Sequence, residues 1–74
     1  MKKILLLGGS AHQVIAVETG KKLGYYTVLC DYLPDNPGQY VADKFYLEST
    51  TDKETLLKIA EKEKVSGILA YASD

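Results

Sequence analysis

The residues best placed to do chemistry lie in one short run, Gly8-Gly9-Ser10-Ala11-His12-Gln13, directly after the apolar segment Ile4 to Leu7. A strand-to-helix turn made of small residues brings backbone N–H groups and the positive end of a helix towards one point, which attracts phosphate or carboxylate. Asp31 closes the next apolar segment, roughly 20 residues on, where dinucleotide-binding units place an acid against a ribose hydroxyl. The G-x-G-x-x-G fingerprint nevertheless fails. With Gly8 as its first glycine, Ser10 takes the second position and Gln13 the third. Classical NAD binding is therefore disfavoured, and two readings stand: a loop that contacts a ligand, or glycines that only make a tight turn.

His12 falls in the first turn of the expected helix, where an imidazole is suited to meet an anion or carry a proton. With no partner visible in the sequence, it reads better as an exposed histidine. Cys30 sits among apolar neighbours and reads as a small core residue. Asp31 suits either a ligand hydroxyl or a turn at a strand end. Tyr25, Tyr26, Tyr40 and Tyr46 show no stacking pattern and read as residues lining strands. Tyr71 precedes Ala72-Ser73-Asp74 at the end of the last apolar run. Ser73 and Asp74 face either a ligand or the start of a following helix, and the capping role is favoured.

These residues need a scaffold, and 74 residues allow one small domain. A chain of this size buries only about 60% of its unfolded surface, so packing against another surface is the expected missing stabiliser. One cysteine cannot form an internal disulfide, and one histidine offers no metal cluster. The net charge of −1 leaves no basic stripe for nucleic acid. Met1-Lys2-Lys3 precedes only four apolar residues, too few for a signal peptide, and no segment reaches membrane-spanning length. The composition predicts a cytoplasmic protein with no membrane and no nucleic-acid partner.

Four short apolar runs, Ile4–Leu7, Tyr26–Cys30, Lys44–Leu47 and Gly67–Tyr71, alternate with polar, helix-like segments. This is the pattern of a parallel sheet covered by helices. A helix is expected over Ala11–Leu23, begun by a Ser10/Gln13 capping box, buried along Ala16, Gly20 and Leu23, and stopped by Gly24. A second is expected after Thr51, with Thr51 and Glu54 as a capping box and Leu56, Leu57, Ile59 and Ala60 as its buried face. Glu54 and Lys58 are spaced for a helical ion pair, and Lys58, Glu61, Lys62 and Lys64 form a solvated face. Asp35-Asn36-Pro37-Gly38 reads as a turn, which leaves room only for a short helical turn over Gln39–Ala42. Right-handed crossovers then predict an α/β fold: a small open parallel four-stranded sheet in the order 3-2-1-4, a Rossmann-like half with helices on both faces. The topological switch lies between strands 1 and 4, where ligands usually bind at the carboxyl ends. The chain stops just after strand 4, which predicts a longer protein or a truncated form of one.

Several segments taken together resemble the N-terminal, pre-ATP-grasp domain of the ATP-grasp superfamily. They are Lys3-Ile4-Leu5-Leu6-Leu7-Gly8-Gly9, Leu23-Gly24-Tyr25-Tyr26-Thr27-Val28, Asp31-Tyr32 with Asn36-Pro37-Gly38, Ala42-Asp43-Lys44-Phe45-Tyr46, and Gly67-Ile68-Leu69-Ala70-Tyr71-Ala72-Ser73-Asp74. The resemblance spans the whole chain and leans towards carbamoyl-phosphate-synthase-like, biotin-carboxylase-like and phosphoribosylamine–glycine-ligase-like members. It implies a parent ligase that uses ATP and magnesium to activate a carboxylate as an acyl phosphate and passes the acyl group to an amine. It implies that the first domain borders the substrate and holds no ATP, so that this chain carries no cofactor and does not catalyse alone. By position, Gly8, Gly9, Ser10, His12 and Gln13 would border the carboxylate or amine substrate, with Asp31, Tyr71 and Ser73 beside them and no catalytic or metal-binding residue. The expected partners are the remaining ATP-grasp domains or a second copy of the chain. The residues also admit a nucleotide- or nucleotide-sugar-binding module of an oxidoreductase or epimerase, and a non-catalytic assembly domain.

Overall fold

The computed structural model describes residues 2–8, 11–49 and 51–70, and only the backbone of residues 11, 12, 69 and 70. Strand β1 (Lys3–Leu7) leads through helix α1 (Ala11–Lys22) to β2 (Tyr26–Asp31). One turn of 3-10 helix (Pro37–Tyr40), strand β3 (Lys44–Leu47), helix α2 (Lys53–Glu63) and strand β4 (Gly67–Ala70) complete the chain. All strand pairings are parallel and the order is β3-β2-β1-β4, the order expected from the sequence.

The central strands are apolar throughout because helices cover both of their faces. Side chains alternate between faces with a period of two. Leu5, Val28 and Cys30 therefore pack on Leu56 and Ile59 of α2, while Leu6 and Leu29 pack on Val17 of α1. A Cβ at Gly20 would lie 3.3 Å from Thr27 Cγ2, so a larger residue there would hold α1 away from the sheet. Gly24, at φ +92°, ends the helix.

Several local expectations are corrected. The buried stripe of α1 is Gln13, Val17 and Gly20, whereas Leu23 lies past the helix end and is 71% exposed. Helix α2 is capped by Asp52, not Thr51: Asp52 Oδ1 accepts from Thr55 N at 3.2 Å and Oδ2 from the Thr55 hydroxyl at 2.7 Å. The hydroxyl bond is the main reason the Asp52 carboxyl is held below the usual range. Glu54 is thereby freed from the cap and pairs with Lys58 at 3.7 Å. Leu57 is 60% exposed, because the buried face runs through Leu56, Ile59 and Glu63 and a neighbour of Leu56 points about 100° away. The short turn starts at Pro37 rather than Gln39, since Asn36 Oδ1 accepts from Gln39 N at 3.0 Å and caps it. Tyr40 stands exposed on that turn, while Tyr26 and Tyr46 do lie in strands.

Two polar clusters lock the strands at their amino ends. Asp43 Oδ2 accepts from Thr27 N at 2.8 Å and from Thr27 Oγ1 at 2.9 Å, tying the start of β3 to β2. These bonds, the backbone one foremost, hold the Asp43 carboxyl below its ordinary range. Glu63, only 5% exposed, closes the end of α2. Its oxygens meet Lys3 Nζ at 3.2 Å, Lys44 Nζ at 2.8 Å and the Tyr46 hydroxyl. The hydrogen bond from Lys44, then that from Tyr46, pull its carboxyl down to about 2.

Candidate functional site

The opposite, carboxyl edge is shaped by the end of β1. Gly8 adopts φ +93°, a backbone region in which other residues are strained. Its N–H donates to Cys30 O at 2.7 Å, extending the ladder one step beyond Leu7. The chain then turns into α1 at Ala11. Because Leu7 is in register with both Cys30 and Ala70, the ends of β2, β1 and β4 lie side by side at the switch between strands 1 and 4.

Gln13 occupies the first turn of α1 and is fully buried. Its Nε2 donates to Leu7 O at 2.9 Å, satisfying the last carbonyl of β1. Its Oε1 has no hydrogen-bond partner. The Gln13 half of the expected capping box, in which that oxygen accepts from the cap residue's N–H, is not made, and Ser10 lies outside the described residues. The same spacing serves another purpose, folding the side chain back over the strand end.

Asp31 ends β2 and is 5% exposed. Its Oδ1 accepts from Leu33 N at 3.3 Å, and its carbonyl accepts from Glu48 N at 2.9 Å. The turn role foreseen for it is therefore present. Cys30 is a core residue, as expected. Burial, reinforced by the Glu48 charge, pushes its thiol up to about 11, and its Sγ contacts Glu48 O at 3.6 Å. A thiol held protonated in this way is a poor nucleophile.

Of the sequence-derived candidates, Gly8, Gln13 and Asp31 come together at this edge. The backbone of His12 lies in the first turn of α1 beside them. Gly9, Ser10, Tyr71 and Ser73 lie outside the described residues. Among the described residues, no group of three or more His, Cys, Asp and Glu is placed to hold a metal ion. Nor is any described helix long and apolar enough to cross a membrane. Sequence reasoning missed the Glu63 cluster, although the spacing Leu56, Ile59, Glu63 put that glutamate on the buried face.

No family model matches the chain. It is 32% identical over 68 residues to a formate-dependent phosphoribosylglycinamide formyltransferase of Synechococcus sp. (strain WH7803), covering 90% of this chain and 17% of that protein. The enzyme of the same name from Bacteroides thetaiotaomicron is 36% identical over 62 residues, covering 84% and 16%. The chain thus spans about one sixth of the length of these curated relatives. The crystal structure of N5-carboxyaminoimidazole synthetase from Staphylococcus aureus, complexed with ADP, superposes on 93% of this chain with a TM-score of 0.82. That match is 26% identical and covers 18% of the synthetase. The chain matches the N-terminal domain of ATP-grasp ligases.

Proposed function

We propose that residues 1–74 are the substrate-side N-terminal domain of an ATP-dependent carboxylate–amine ligase, inactive without the rest of that enzyme. The carrying observation is the superposition, which takes in nearly all of this chain and under a fifth of an ADP-bound relative. Phosphoryl transfer depends on phosphates and metal ions positioned together. The described residues form one four-stranded sheet with its helices and no second lobe to close over a nucleotide. ATP and magnesium are assigned to the remaining domains, which are also the natural partners for the exposed apolar side chain Ile68. The role left to this chain is to border the small carboxylate or amine substrate at Gly8, Gln13 and Asp31. Gly9, Ser10, His12, Tyr71 and Ser73 are assigned to the same pocket from the resemblance.

The 74-residue chain is expected to show no ATP turnover with saturating panels of carboxylates and amines. Turnover by the chain alone would overturn this reading. A nucleotide-binding module is the second reading, favoured by the buried acid that closes β2. Titration with NAD(P) separates the two, since tight binding would replace the ligase reading. A monodisperse, stable monomer by light scattering would count against a domain that works only by assembly.

A further inference from the structure

Helix α1 carries apolar residues on two sides. Val17 and Gly20 face the sheet and are buried, yet Ile15 is 66% exposed and Leu23 71% exposed. Leu23 N donates to Thr19 O at 3.1 Å, which carries the helical path one residue past Lys22. Ile15, Thr19 and Leu23 therefore follow at intervals of four and form one ridge along the helix. The ridge stands between two grooves. One is lined by Ile4, Ala16, Gly20 and Tyr25, the other by Glu18, Lys22, Tyr40 and Val41. Ile15 and Thr19 border both. A ridge flanked by grooves is the surface on which another helix packs.

The charges beside the ridge define which helix fits. Glu18 and Lys22 are exposed and one turn apart, the spacing at which Glu54 and Lys58 pair across 3.7 Å. Among the described residues, however, neither Glu18 nor Lys22 joins an ion pair. We propose that this face takes a second copy of the chain, the two α1 helices lying antiparallel about a two-fold axis at Thr19. That axis sets Ile15 against the second copy's Leu23 and leaves the small Thr19 where the helices approach most closely. It also brings Glu18 beside the second copy's Lys22, twice over by symmetry. An axis shifted to Glu18 or to Lys22 would set like charges together, so the charges fix the register. One helix face is smaller than the roughly 800 Å² per partner of a stable interface, so the dimer is weak. The inference does not depend on the substrate-side reading of the carboxyl edge.

Sedimentation equilibrium and amide NMR shifts of the labelled 74-residue chain, followed through dilution, test this. The chain is expected to be dimeric at about millimolar concentration and monomeric at about 10 μM. On dilution the shifts should centre on Ile15, Thr19 and Leu23 and leave Ile68 unmoved. Glu18→Lys and Lys22→Glu should each weaken the dimer about tenfold, since each turns two exposed attractions into repulsions. Both substitutions in one chain should restore it, because the facing charges are again opposite. Ile15→Asp should leave a monomer throughout, with an unchanged circular dichroism spectrum. A parent chain that stays monomeric at millimolar concentration overturns the proposal. So does a dimer indifferent to the single charge reversals, or a double variant as weak as either single one. Should Ile15→Asp not fold, dilution shifts centred on Ile68 in the parent chain overturn it equally.

Discussion

At the amino edge of the sheet Glu63 is buried between Lys3, Lys44 and Tyr46, whereas at the carboxyl edge Gln13 is buried with its oxygen unmet. The first cluster draws partners from β1, β3 and α2, and it needs only a helix end and two strand starts to converge. It ties β1 to β3 and α2, which come much later in the chain. The second region puts a glycine at positive φ and an unsatisfied amide at the strand ends, both local costs to folding. A fold that satisfies a charge at one edge and leaves a neutral group unmet at the other separates its stabilising region from its candidate binding region. Perturbing each edge alone tests that separation.

The largest effect is expected from Glu63→Gln, which keeps the shape but removes the charge that both lysines address. Charged hydrogen bonds exceed neutral ones by about 1 kcal/mol each, and the partly exposed lysines, 35% and 42% accessible, are discounted for solvent screening. Urea unfolding at pH 7 should therefore show a loss of about 1–2 kcal/mol. Because the folded carboxyl sits at about 2 against an ordinary 4.5, its contribution is complete above pH 4.5 and disappears as pH falls towards 2. Asp43 and Asp52 are shifted in the same direction. The diagnostic is thus the difference between parent and variant melts, which should shrink across that window. A constant difference would mean that the Glu63 charge is not what joins the edge.

Gly8→Ala should have the next largest effect, costing about 1–2 kcal/mol for a side chain at positive φ. Its amide resonance shifts should stay at the carboxyl edge, whereas those of Glu63→Gln should stay at the amino edge. Shifts at both edges in either variant would show the edges to be coupled. The smallest expectation concerns Cys30. A thiol at about 11 and fully buried should resist thiol reagents at neutral pH and react at once in urea. Rapid labelling of the folded chain would show that the carboxyl end of β2 opens readily.

Much of this was legible in the sequence for one reason: the elements are set by local periodicity and stop signals. Ile4–Leu7 and Tyr26–Cys30 are strands because continuous apolar runs need cover on both faces, and Gly24 ends α1 because it tolerates positive φ. The rule of right-handed crossovers then gave the order 3-2-1-4. Cap residues were less legible, since Thr51 and Asp52 are both competent and only the chain path brings Asp52 onto Thr55. Of the candidate site, Gly8 and Asp31 stood out by their positions at strand ends.

The sequence by itself determined the strands, the helices, their order in the sheet and the edge at which small residues gather. Tertiary structure alone decided which polar groups are met. Gln13 reads as a cap from its spacing, yet its oxygen is unpartnered because the side chain folds back onto Leu7 O. Glu63 reads as one more charged residue near a helix end, yet lysines from two strands make it the fastening of the amino edge. Lys3 and the Tyr46 hydroxyl lie 60 and 17 positions from Glu63, and no pattern along the chain encodes a meeting that exists only once the strands are paired.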